Sequence, residues 1–323
     1  MGAVAPPDTV TRAGARAVVL GDLVLDLVAI LPGPLNYATD TRCQLFPRPG
    51  GSAANTATWL RRLGLPVLYV GRVGADPLGR ALVDGLRQEG VDARVARDPE
   101  APTGTIVALI SPGGERSMLI SPGANHRLRP EDLPADALAG AGVLHLTGYS
   151  FFWDVPRQAA RAALAAARAQ GIPVAVDVSS AGLIREYGAE RLLADLSGIT
   201  YLFCNEDEAR LLTGQADPEI ALEVLARSFP VVGLKRGPRG SLVAAGGERV
   251  AQPALPAPAV DTTGCGDAWD AGFLAGLLRG LNFRDAARLA AWTAAWVVAR
   301  PGAVPAGWTE RDRAAAWAVA GAG

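Results

Sequence analysis

From about residue 143 onward the chain alternates short apolar runs with helix-length segments, and no other feature restricts its fold as strongly. Residues 143–147, 174–178, 199–204 and 231–235 read as buried strands. Residues 156–170, 190–196, 206–212 and 221–228 read as helices between them. Strand–helix repetition of this kind predicts a parallel sheet covered by helices on both faces. The amino-terminal part fits the same scheme. Residues 17–30 (AVVLGDLVLDLVAI) read as a first buried strand, 52–63 as a helix with Ser52 in capping position, 66–73 as a strand and 77–89 as a helix ended by Gly90. Residues 103–111 and 116–121 flank a Pro-Gly-Gly turn and read as a hairpin set apart from the helices. The last third reads as two long helices, 267–279 and 284–299, and a tail helix after Trp308.

The expectation is a three-layer α/β/α fold with a mostly parallel central sheet, formed by 17–35, 49–101 and 122–323. A small β-sheet lid from 36–48 and 102–121 would cover a ligand crevice at the carboxyl ends of the strands. Residues 1–16 read as a flexible tail. They lack the basic start and apolar run of a signal peptide.

Composition narrows the function. Lysine and arginine number 31 against 32 acidic residues, with no long like-charge run, which argues against nucleic acid or an anionic membrane as partner. No apolar stretch reaches the roughly 20 residues of a membrane helix. Cys43, Cys204 and Cys265 lie far apart with no metal-ligand spacing, which points to a reduced, cytoplasmic setting. With only His126 and His145, a histidine triad or zinc site is not expected. Lys235 is the only lysine.

Five stretches carry chemistry. Gly264-Cys265-Gly266-Asp267 opens an apolar helix. Backbone N–H groups at such a start lack intrahelical partners, and glycines let an anion approach them closely. A carboxylate there is either a helix cap or a base that takes a proton from an attacking hydroxyl. Pro49–Asn55 (PGGSAAN) places two glycines before a helix and an amide one turn inside it, suited to sugar hydroxyls or to a plain turn. GDLVLD puts Asp22 and Asp26 in an apolar strand, and Asp26 would bind vicinal hydroxyls or cap a loop. Asn205 and Glu208 share one face of a helix start and suit either hydrated Mg²⁺ or dipole compensation. In KRGPRGS, Gly237 and Gly240 can pack against a nucleotide with Lys235 adding charge, or form an exposed hairpin. There is no GxxxxGK[ST], no GxGxxG after the first strand and no GxSxG.

In this order, PGGSAANTA, VGRVGADPLG, SPGANHRL, NEDEARLLTG, KRGPRGS and DTTGCGDAWDAGFLAGLL resemble the ribokinase-like, or PfkB-type, carbohydrate kinases from about 18 to 303. The resemblance implies an ATP-dependent kinase that phosphorylates a hydroxymethyl group of a small sugar. Asp267 matches its base, and Gly264, Cys265 and Gly266 its anion hole. Asp26, Gly50, Gly51 and Asn55 match sugar-gripping positions. Asn205 and Glu208 match positions that organise Mg²⁺ through water. Lys235, Gly237 and Gly240 match the nucleotide loop. The family's monovalent cation, K⁺, would lie near Asp261 and Thr263 and the loop at 299–303, and its lids often join two copies in a homodimer. Val24, Ser52 and Gly148 depart from the ribokinase pattern, so ribose itself is not implied. A nucleoside kinase of the same family and a non-catalytic sugar or nucleotide sensor are the alternatives. The nucleoside reading needs a flat apolar slot, for which Phe151, Phe152 and Trp153 are candidates, although such residues are more often core.

Overall fold

The computed structural model of the protein describes residues 15–113 and 116–321. Most of the expected tail lies outside the described residues, and its last residue, Arg16, already opens a strand. The first half contains β1 (Arg16–Leu20), β2 (Val24–Ile30), β3 (Gln44–Gly50), α1 (Ser52–Arg62), β4 (Val67–Gly74), α2 (Pro77–Gln88), β5 (Asp92–Asp98), β6 (Thr105–Ile110) and β7 (Arg116–Ser121). Then come β8 (Ala141–Thr147), α3 (Asp154–Ala169), β9 (Val174–Asp177), α4 (Ala181–Tyr187), α5 (Ala189–Asp195), β10 (Tyr201–Asn205), α6 (Glu206–Thr213) and α7 (Pro218–Ala226). The chain closes with β11 (Val231–Lys235), β12 (Ser241–Ala245), β13 (Glu248–Gln252), α8 (Cys265–Leu278), α9 (Phe283–Val298) and α10 (Glu310–Val319).

Among the described residues the strands form two sheets. The larger has nine in the order β13-β12-β11-β10-β9-β8-β1-β4-β5, and the smaller has four, β3-β2-β6-β7. From β5 to β11 every neighbouring pair is parallel. β12 and β13 continue the edge antiparallel. Side chains alternate across the large sheet. Ala17, Val19, Ala175 and Phe203 meet α1, α2, α8, α9 and α10 on one face. Val18, Leu20, Val176 and Leu202 meet α3 to α7 on the other. Strands buried on both faces need nearly continuous apolar sequence, which explains why these runs were legible.

The expected first strand, 17–30, is two strands in two sheets. Residues 21–23 break it, because the Asp22 carboxylate accepts N–H bonds from Ser52 (2.9 Å) and Ala53 (3.1 Å) and turns the chain toward the start of α1. β2 then pairs with β3 and β6. Residues 24–30 therefore leave the α/β layers to which they were assigned and join the second sheet, which also extends along β3 to Gly50. Asp26 is a residue of that small sheet and not the end of a main-sheet strand. β5 and α4 were not expected at all. β5 reads DARVARD on the sheet edge, where few apolar residues are required.

The chain leaves β1 toward β4 and β5 on one side and returns to β8 on the other. Connections diverge at that point, and a crevice opens beyond the carboxyl ends of the parallel strands.

Candidate active site

The crevice is a cavity of about 900 Å³. Its floor is the first turn of α8. From Asp267 to Leu278 every residue of α8 is buried, as expected of a helix apolar all round. Gly264 caps it at φ 73°, and a Cβ there would lie 2.5 Å from Ala303 Cα. Only glycine fits both the left-handed backbone and that approach. Gly264, Cys265, Gly266 and Asp267 all line the cavity, at the end of α8 where the helix dipole favours an anion.

Asp267 is held from α1. Its Oδ1 accepts the Ser52 hydroxyl at 2.7 Å and its Oδ2 accepts Asn55 Nδ2 at 2.8 Å. Burial pushes the carboxyl up to about 7, against the pull of those two donors. α1 can present both donors because its own start is anchored. Gly51 sits at φ 102°, where a Cβ would lie 2.5 Å from the Asp22 carbonyl oxygen, and the Asp22 carboxylate caps the first N–H groups. Burial raises Asp22 as well.

Lys235, at the end of β11, reaches back under the same turn. Its Nζ donates to Asp177 at 2.9 Å and to Asp270 at 3.1 Å. A Cβ added to Gly266 would stand 3.3 Å from that nitrogen. Burial works against the ammonium, but Asp177, Asp270 and Glu208 outweigh it and hold its proton on. Asn205 and Glu208 line the cavity and form a reciprocal capping box. Glu208 N–H donates to Asn205 Oδ1 at 2.9 Å, and Asn205 N–H to Glu208 Oε2 at 2.8 Å. The pair therefore caps α6 and also faces the cavity. Burial and then Asp177 raise Glu208 to about 7. No group of three or more His, Cys, Asp or Glu among the described residues could hold a metal alone. An oxygen pair of this kind suits a Mg²⁺ that keeps its waters and arrives with phosphates.

Gly237 and Gly240 border the other end, beside an apolar slot formed by Leu255, Pro256, Ala291, Ala295 and Val298. Asp261 does not line the cavity. Its carboxylate accepts Thr263 N–H (2.9 Å), Thr263 Oγ1 (2.7 Å) and Gly302 N–H (2.9 Å), which ties together the two loops expected near a monovalent cation. At the opposite end Asp26 leans over Gly50, where a Cβ would lie 2.2 Å from its Oδ2. Its Oδ1 is buried without a hydrogen bond, and burial followed by Asp22 lifts the group to about 6. Ile106, Met118 and Ile120 of the small sheet line this end. Of the aromatic run, Phe151 and Phe152 are core, whereas Trp153 lines the cavity and packs on His126 at 4.0 Å between ring centroids.

Sequence reasoning missed Asp177 and Asp270 and undervalued Asp22. Asp177 had a signal, a carboxylate ending the apolar run VAVD. Asp270 had one in its three-residue spacing from Asp267, which places both on one helix face.

The sequence profile of the pfkB family of carbohydrate kinases matches residues 15–310. A fructokinase of Klebsiella pneumoniae is 35% identical over 270 residues, covering 80% of this chain and 83% of its own. The crystal structure of adenosine kinase from Sinorhizobium meliloti superposes with a TM-score of 0.85 at 28% identity, covering 94% of this chain and 100% of the other. The Arabidopsis thaliana ribokinase complexed with ribose and ATP gives 0.80 at 26% identity, covering 95% and 99%.

Proposed function

The chain belongs to the pfkB family of carbohydrate kinases, and from that premise we propose that it moves the γ-phosphoryl group of ATP to a hydroxymethyl group of a small sugar. One observation carries the reading. A buried carboxylate, Asp267, stands beside the amide-rich start of α8 where the two ends of one cavity meet, and α1 fixes both its oxygens. In this reading the apolar slot beside Gly237 and Gly240 takes the adenine, and the Gly264–Gly266 turn takes the transferred phosphoryl group. Asp267 accepts the hydroxyl proton as that oxygen bonds to phosphorus and the bond to the bridging oxygen breaks, releasing ADP. Such a transfer has a loose transition state, so positioning and charge stabilisation matter more than base strength. Lys235 adds positive charge under the turn. Asn205 and Glu208 would hold Mg²⁺ through its waters, and the ion would supply charge neutralisation at the phosphates. K⁺ beside Asp261 and Thr263 remains part of the proposal.

Asp26, Gly50, Gly51 and Asn55 form the acceptor end. The apolar wall of Ile106, Met118 and Ile120, with Trp153 opposite, also favours a second reading in which the acceptor is a nucleoside. The small sheet is proposed to join two copies in a homodimer. Leu45 and Leu119 are 58% and 59% exposed on its strands, and β3 and β7 are edges. No helix of the described residues is long and apolar enough to cross a membrane, and the proposed site of action is the cytoplasm, where ATP is supplied.

The test measures ADP release from Mg-ATP with ribose, fructose, 2-keto-3-deoxygluconate, adenosine and pseudouridine in turn. Acceptor-dependent release with at least one supports the reading. Absence of release with every member, from protein that binds ATP, favours the sensor.

A further inference from the structure

We infer that the acceptor end admits uncharged polyols and turns away sugar acids, a deepening that rests on the kinase reading of this cavity. Three carboxylates, Asp22, Asp26 and Asp267, face that end, and the lid side adds only apolar Ile106, Met118 and Ile120. Among the described residues lining the cavity, Lys235 is the sole lysine or arginine. Its charge is engaged by Asp177 and Asp270, and it lies under Gly266 on the phosphate side.

The surrounding arginines lie outside the cavity lining. Arg48 stands opposite Asp26 in the register of β2 and β3 but lines a separate groove with Arg62. Arg72 binds Asp98 and Asp132, and Arg127 binds Asp98 and Glu100. His126 is held neutral by burial. Of the amides close by, Asn125 is spent on Leu23 N–H and on the carbonyls of Leu23 and Pro122, and Asn55 Nδ2 on Asp267.

What Asp26 lacks is a donor. Asp26 Oδ1 is buried and unpartnered, so the matching group is a hydroxyl that gives a hydrogen. A substrate carboxylate gives none at neutral pH and would add negative charge beside these carboxylates, with no free lysine or arginine in the cavity lining to balance it. Juxtaposed like charges cost several kcal/mol, equivalent to about 100-fold or more in preference.

The experiment compares kcat/KM for ribose, fructose and adenosine with that for 2-keto-3-deoxygluconate, using the full chain and Mg-ATP. The best neutral acceptor is expected to exceed the acid by about 100-fold or more. Asp26→Asn keeps ATP binding and narrows the ratio by about tenfold or more, since it weakens the neutral acceptor and relieves the acid. Turnover of the acid within about tenfold of the best neutral acceptor overturns the inference, as does a ratio that Asp26→Asn leaves unchanged. No turnover of any acceptor, neutral or acidic, overturns the kinase reading itself.

Discussion

Asp267 sits where ionisation is least welcome, and its chemistry follows from that. Its carboxyl titrates near 7, so only above that pH is most of it able to take a proton. The expected kcat/KM profile therefore rises with pH to a plateau with an acid limb near 7. A limb near 4 would remove Asp267 from the role of base. Asp267→Asn is expected to lower the rate by about 10²–10⁴ while ATP still binds by calorimetry. Ser52→Ala tests the support of that residue. It deletes a hydrogen bond to the ionised form, so the acid limb moves to higher pH while the plateau is largely kept. Stability answers to the same groups. Asp26, Glu208 and Asp267 keep protons in the folded chain at pH values where the unfolded chain has lost them. Folding then takes up protons, and stability falls as pH rises from about 4, where the unfolded carboxyls ionise, until the folded groups have ionised just above 7. Thermal melts of the ligand-free protein at pH 6.5 and 8 should show the lower midpoint at pH 8.

Two helices govern the site as elements: α8 supplies the anion turn and α1 supplies the donors. Their seating depends on close contact between α8 and α9, where Gly272 and Gly276 leave room for Ala290 and Ala286. A Cβ at Gly276 would fall 2.9 Å from Ala286 Cα. Gly276→Val is expected to force the pair apart and cost about 1–3 kcal/mol by urea unfolding. The same elements show what can be read from a sequence. The runs GCGD and PGGSAAN were legible because helix starts need particular residues at particular places. Asp22 was not, because apolar periodicity alone cannot reveal that a strand-like run is cut in two when α1 claims the carboxylate in its middle. Asp177 and Asp270 were harder still. Their meaning lies in a lysine 58 and 35 residues away, and only tertiary structure joins them.

The molecule as a whole is a three-layer body with a four-stranded sheet over its crevice. The central alternation predicted the body well, since doubly covered strands must be apolar. The boundary with the small sheet was misplaced, because β2 is as apolar as the strand before it. If two copies pair through that sheet, Leu119→Glu should convert a dimer to a monomer in light scattering, and a wild-type monomer at micromolar concentration would dispose of the pairing. Lys235 has a last consequence. It is the chain's one lysine, its side chain is 14% exposed, and its ammonium stands inside the cavity. Its acidic neighbours keep that amine protonated, and an acylating reagent needs the neutral amine. The one lysine is therefore expected to resist modification in the folded protein and to react once unfolding frees it from Asp177 and Asp270, an event that a single mass spectrum would register.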